Sequence, residues 1–91
     1  MPYIDPEARN RLEKSGQPET PGELNYVISK AVDEYLIRKG TLRYAYLNEV
    51  IGVLECAKLE LYRRIAAPYE DRKIAEAGDV YRSLKDTGGN R

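Results

Sequence analysis

The densest polar run of the chain falls in its C-terminal third: Lys58, Glu60, Tyr62, Arg63 and Arg64, then Tyr69, Glu70, Asp71, Arg72 and Lys73. Arginine forks grip phosphate oxygens in pairs, and tyrosine rings stack on bases or other flat ligands. Pro68 separates the two halves of the run, and a bend there would turn free backbone amides toward an anion. The residues expected to hold such a ligand are Tyr62, Arg63, Arg64, Tyr69, Arg72 and Lys73. Tyr3 and Tyr81 would close the site from the two termini. The competing reading of the same residues is a solvated face laced with pairs such as Glu60–Arg64, four residues apart.

Other chemistries find less footing. Lysine plus arginine number 15 and aspartate plus glutamate 15, so the formal net charge is zero, which argues against a protein that coats nucleic acid. There is no histidine, which removes the commonest general base and any Cys/His zinc site. Glu49, Glu55, Glu60 and Asp71 do not keep to one helical face, so no metal is expected. Cys56, the single cysteine, sits within an apolar stripe and reads as a small buried thiol rather than a nucleophile. With no base, metal site or glycine-rich phosphate loop, neither enzymatic activity nor a cofactor is expected. No apolar run approaches the roughly 18 residues of a membrane span, and no leader-like segment opens the chain. The expectation is a soluble protein of the cytoplasm, with no membrane partner.

The elements that must position these groups read as all-α. Met1-Pro2-Tyr3-Ile4 is short and extended. Asp5-Pro6-Glu7 has the grammar of a helix start, predicting one or two turns to Lys14 within a loosely structured arm over 1–19. Thr20-Pro21-Gly22-Glu23 is a capping box, and Leu24, Val27, Ile28, Ala31, Val32, Tyr35 and Leu36 follow at helical steps as far as Lys39-Gly40. A long helix is predicted over 42–67, to be ended or kinked at Pro68, with Ala67 pushed away from helical geometry. Residues 69–77 have helical composition and Gly78 stops them. Asp79-Val80-Tyr81 is expected to be extended, pairing with Tyr3-Ile4 of the same or another chain. The whole reads as one domain over 1–81, with a disordered tail over 82–91.

The long segment carries two apolar stripes. One runs Leu47, Val50, Ile51, Leu54, Ala57, Leu61, Ile65, and the second comprises Gly52, Cys56 and Leu59. A 26-residue helix is about 39 Å long, against roughly 30 Å for a compact globule of this size. It is therefore expected to project and to be covered by other copies, with Val50, Gly52, Cys56 and Leu59 in the interface. The competing expectation is a monomeric bundle of three helices. Eight tyrosines with no phenylalanine or tryptophan suit surfaces that are half wet and half apolar.

The run Asn48-Glu49-Val50-Ile51-Gly52-Val53-Leu54-Glu55-Cys56-Ala57-Lys58-Leu59-Glu60-Leu61-Tyr62-Arg63-Arg64, with Pro68-Tyr69-Glu70, Lys73-Ile74 and Gly78-Asp79-Val80, resembles a family of small proteins encoded by tailed bacteriophages and prophages. Met1-Pro2-Tyr3-Ile4 and Gly22-Glu23-Leu24-Asn25-Tyr26 share the resemblance. It implies a viral setting in the host bacterial cytoplasm and no settled activity. By analogy of class, phages use small oligomers to sequester cyclic-nucleotide or ADP-ribose-type immune messengers between subunits. The leading expectation is therefore a helical homo-oligomer that binds an anionic nucleotide-like ligand without turning it over. The alternative is a structural or protein-interaction module with no small-molecule ligand.

Overall fold

The structure, a computed structural model, describes residues 1–83. Helix α1 spans Pro6–Ser15, α2 Pro21–Lys39, α3 Tyr44–Leu61 and α4 Ala67–Ala77, with a π-helical segment, Tyr62–Ala66, between the last two. The architecture is all-helical, and no strand occurs among the described residues. The tail residues 84–91, expected to be disordered, lie outside the described residues. The chain divides into two compact units, Met1–Gly52 and a second beginning at Val53, so that the boundary falls inside α3.

In the first unit, local capping chemistry sets the helix ends. The Asp5 side chain accepts a hydrogen bond from the Ala8 N–H (2.9 Å) with Pro6 at the first helical position. Gly16 closes α1 in the left-handed region (φ 66°), its N–H donating to the Leu12 carbonyl at 2.7 Å. Thr20 Oγ1 accepts from the Glu23 N–H (3.1 Å), the forward half of the expected capping box. The return half is displaced by one residue: the Glu23 carboxylate accepts from the Glu19 N–H (3.0 Å), and from Arg11. Arg11 also donates to the Gln17 carbonyl at 3.2 Å, so one guanidinium ties α1, the connection after it and the start of α2 together. Leu12, 5% exposed, packs where α1 meets α2 and is the only buried apolar side chain among the described residues.

The α2–α3 corner is polar and aromatic. Gly40 adopts φ 87°, ψ −113°, a conformation open to glycine alone, and turns the chain after α2. Lys39 Nζ sits 5.1 Å from the Tyr35 ring centre and 5.6 Å from that of Tyr46, while the Tyr35 hydroxyl donates to Glu49 at 3.2 Å. Helix α3 begins at Tyr44, two residues later than the expected 42.

In the second unit the helical backbone runs through Pro68, and the expectation for Ala67 is corrected. Ala67 is helical (φ −62°, ψ −47°) and its N–H reaches the Tyr62 carbonyl, a five-residue step. Proline lacks an N–H and its ring collides with the carbonyl four residues back. Opening one turn to π spacing takes up that misfit without unwinding the neighbour, so helix continues to Ala77. Gly78 (φ 95°) then ends α4, its N–H donating to the Ile74 carbonyl at 2.8 Å. Within the chain, residues 79–81 form no strand with Tyr3-Ile4: the Asp79 carboxylate instead accepts from the Tyr81 N–H (3.0 Å), a side-chain turn that competes with extended pairing. Among the described residues, no helix is long and apolar enough to cross a membrane.

Candidate functional site

The six residues singled out for ligand binding all fall in the second unit, Tyr62, Arg63 and Arg64 on the π segment and Tyr69, Arg72 and Lys73 on α4. Every one is exposed. Consecutive helical residues fan out by about 100° each, so Tyr62, Arg63 and Arg64 leave the helix in three directions. One chain cannot aim all six at one ligand. The fold instead gathers them into three smaller groups.

Arg63 donates to both oxygens of Glu60 (3.0 and 2.9 Å), and Arg64 approaches the same carboxylate at 3.8 Å. Arg72 and Lys73 flank the Tyr69 ring, with their charges 5.7 and 5.6 Å from its centre, and Lys73 also lies 3.7 Å from Glu76. Tyr62 donates its hydroxyl to Glu70 at 3.0 Å. That hydrogen bond, and then the charge of Glu70, hold the Tyr62 phenol above its ordinary range.

The Tyr62–Glu70 bond depends on the π segment. Eight residues of uninterrupted α-helix would set the two about 80° apart, whereas absorbing one extra residue leaves about 20°. Glu70 is the member that sequence reasoning missed as a partner, because a spacing of eight signals nothing unless the widened turn is known. Glu60 was visible as an i,i+4 partner of Arg64, and it turns out to hold Arg63 more closely.

Over residues 60–76, four acids (Glu60, Glu70, Asp71, Glu76) face four bases (Arg63, Arg64, Arg72, Lys73), so the cluster is neutral. Exposed ion pairs hold by only about 0.2–1 kcal/mol, and an anion of higher charge can draw the cations away. Lys73 and Glu70 border an open groove of about 370 Å³ at the end of α4, completed by Ile74, Val80 and Tyr81. Tyr3 lines a different groove, with Arg9 and Tyr26 in the first unit. Among the described residues, no three acids or cysteines gather closely enough to hold a metal ion.

The residues expected at an interface lie on α3. Val50 is half-buried, while Gly52, Cys56 and Leu59 are exposed, Leu59 to 55%. A methyl group added at Gly52 would meet nothing within 4 Å. Cys56 is a free, exposed thiol and not the buried one expected; one apolar face on a solvated helix does not bury it.

No match to the chain is found among curated proteins or solved structures. One protein family does match, and it matches residues 1–80: the chain belongs to the domain of unknown function DUF6899.

Proposed function

We propose that this DUF6899 chain is a non-enzymatic helical self-association module, a second copy covering the stripe of Leu54, Ala57, Leu61 and Ile65. One observation carries the reading: among the described residues Leu12 alone is buried, while Leu54, Leu61 and Ile65 stand 42%, 59% and 64% exposed. An isolated helix is marginal in water and draws its stability from a packed apolar face. Among the described residues of the second unit, the only packing of one element on another is that of the π segment on α4, its own continuation.

The exposed apolar material, counted around the whole girth of the second unit, approaches what one interface with a copy of the chain takes. Val53, Leu54, Leu59, Leu61, Tyr62, Ile65, Tyr69 and Ile74 are each about half exposed. Full burial of such side chains supplies about 1.5–3 kcal/mol each, so roughly 6–12 kcal/mol, or about 250–500 Å² of apolar area, is unrealised. A standard interface takes about 800 Å² from each partner, and in homodimers about 65% of it is apolar. A viral origin and a place in the host cytoplasm belong to this reading, and rest on the resemblance of the long-helix segment to phage and prophage proteins. The test is sedimentation equilibrium over a wide concentration range. Wild type is expected to associate and Leu54→Glu to remain monomeric; a wild type that stays monomeric throughout ends the proposal.

A second reading, the sequestering of an anionic nucleotide-like ligand, draws support from the Tyr69 ring flanked by Arg72 and Lys73. It requires Arg63 and Arg64 to leave Glu60 for a phosphate, and copies to bring together cations that one helix spreads around its girth. Calorimetry with cyclic di- and trinucleotides and cyclic ADP-ribose isomers tests it. Heat that disappears in Arg64→Ala supports it, and no heat with any of them removes it.

A further inference from the structure

Cations and tyrosines also meet in the first unit, around an open groove of about 450 Å³ bordered by Tyr3, Arg9, Tyr26, Lys30 and Asp33. Sites for small molecules run from about 300 to 1,000 Å³. Tyr26, Lys30 and Asp33 recur at steps of four and three residues, so α2 presents them along one stripe. Arg9 comes from α1, and Tyr3 from the short arm that precedes it.

The arm is held in place by its backbone. The Ile4 N–H donates to the Pro2 carbonyl at 3.0 Å, a three-residue turn with Tyr3 at its tip. That turn lies against the start of α2, where a Cβ at Gly22 would touch the Met1 carbonyl at 3.4 Å and the Ile4 side chain at 3.5 Å. Arg9 Nε fixes the other side by donating to the Ile4 carbonyl at 3.0 Å. Tyr3 thereby borders the groove while its own surface stays 77% exposed.

Arg9 is already set to receive an anion. Its guanidinium is held by Ile4 and lies over the Tyr26 ring, 5.2 Å from the centre. Among the described residues, neither of its terminal nitrogens donates a hydrogen bond, and neither Arg9 nor Lys30 has a carboxylate within 4 Å. An anion here displaces no ion pair, whereas Arg63 and Arg64 would first have to leave Glu60. The side-chain entropy of ordering the arginine is already lost in the unliganded chain, which favours binding. Arg9 and Lys30 against Asp33 leave one net positive charge at the groove. Over residues 1–52 seven basic side chains face eight acidic ones, which suits one phosphate and not the repeated phosphates of a nucleic acid.

We propose that this groove binds a small molecule that joins a phosphate, a flat ring and a hydroxyl or amino donor, the chemistry of a nucleoside monophosphate. Arg9 and Lys30 take the phosphate, the arginine through its two terminal nitrogens. The ring lies on Tyr3, because one face of Tyr26 is covered by Arg9. Asp33 accepts from the sugar or the base. The site is built within the first unit of one chain and does not rest on self-association.

The experiment is calorimetry on the full chain with adenosine, guanosine, cytidine and uridine monophosphates, alongside inorganic phosphate and the free nucleosides. Nitrogen-15 amide spectra locate the ligand. At least one monophosphate is expected to bind more tightly than both inorganic phosphate and its own nucleoside, moving the amides of Arg9 and residues 26–33. Arg9→Gln should weaken it about tenfold or more, the loss of a hydrogen bond to a charged group. Lys14→Gln, which removes the same charge from α1 outside the groove, should leave it unchanged. Should Arg9→Gln lose its helix by circular dichroism, Lys30→Gln and Tyr3→Ala decide in its place, since neither side chain makes a hydrogen bond or ion pair among the described residues. No binding by any monophosphate overturns the proposal. So do equal binding of inorganic phosphate, affinity unaltered in these variants, and amide shifts confined to residues 62–73.

Discussion

Replacing Gly52 by alanine separates a solitary helix from a packed one by the sign of the result. In the single chain the added methyl meets no atom within 4 Å, so the only effect is on the helix itself. Alanine is the better helix former by about 0.8–1.0 kcal/mol. A domain of 60–100 residues gains about 4–8 °C in Tm for each kcal/mol, so the dissociated variant should melt about 4–8 °C higher than wild type. If a second backbone lies against Gly52, the same methyl overpacks the contact, which costs typically 1–3 kcal/mol and cancels or exceeds the gain. The assay is thermal unfolding followed by far-ultraviolet circular dichroism, at concentrations well below and well above the midpoint of association. Gly52→Ala should raise Tm in the dilute sample and lose that advantage in the concentrated one. An equal gain at both concentrations refutes the close approach.

Three further outcomes follow from named contacts. The Glu23 carboxyl is held below its ordinary range, first by the hydrogen bond from Arg11 and then by the Glu19 N–H. Its contribution is present above the unfolded carboxyl pKa of about 4.3 and is lost as pH falls through the lower folded value. Melting scans from neutral to acid pH should therefore fall more steeply for wild type than for Glu23→Gln, and parallel curves would discount the contact. Tyr62 is shifted the other way, so its bond to Glu70 stabilises below the unfolded phenol pKa of about 10 and is lost as pH rises through the higher folded value. Ultraviolet titration of tyrosinate should lose its latest step in Tyr62→Phe and move it earlier in Glu70→Gln. Pro68→Ala removes the reason for the π turn. The helix should gain up to about 3 kcal/mol and α4 should rotate by about 100°, breaking the Tyr62–Glu70 bond, so the Tyr62 titration should move earlier together with a rise in Tm.

How far these features were legible in the residues depends on how local their causes are. Asp5-Pro6, Thr20 with Glu23, and glycines 16, 40 and 78 act on the three or four residues beside them, and the helix ends they specify fall within two residues of expectation. The π turn was illegible because Pro68 admits several remedies, and only the backbone shows which was taken. Asp79 misled for a similar reason: Asp-Val-Tyr has strand composition, but the aspartate reaches the Tyr81 N–H two residues on before any partner strand can. The candidate site was legible as a collection of types and not as an arrangement, since the cations were plain and their pairing with Glu60, Glu70 and Glu76 was not. The tyrosine excess finds a local account in the same way. Tyr26, Tyr35, Tyr46 and Tyr69 each lie beside a lysine or arginine, and the hydroxyls of Tyr35 and Tyr62 donate to carboxylates. Phenylalanine would supply the ring and lose the hydrogen bond.

Charge offers a separate way to tell the two functional readings apart. A surface that collects anions does best with a cationic excess, whereas identical copies that pack together do best near neutrality, where no net repulsion builds up on association. This chain has a formal net charge of zero, and residues 60–76 are balanced four against four. Assembly through Leu54 and Leu61 should then depend little on ionic strength, because burial of apolar area does not weaken as the Debye length falls from about 10 Å at 0.1 M salt to about 3 Å at 1 M. Recognition of a phosphate by Arg64, Arg72 and Lys73 at an exposed surface should fade over the same range. Sedimentation equilibrium across that series is the measurement. A constant association constant is the expected result, and dissociation at high salt would show that ion pairs rather than the apolar stripe hold the copies together.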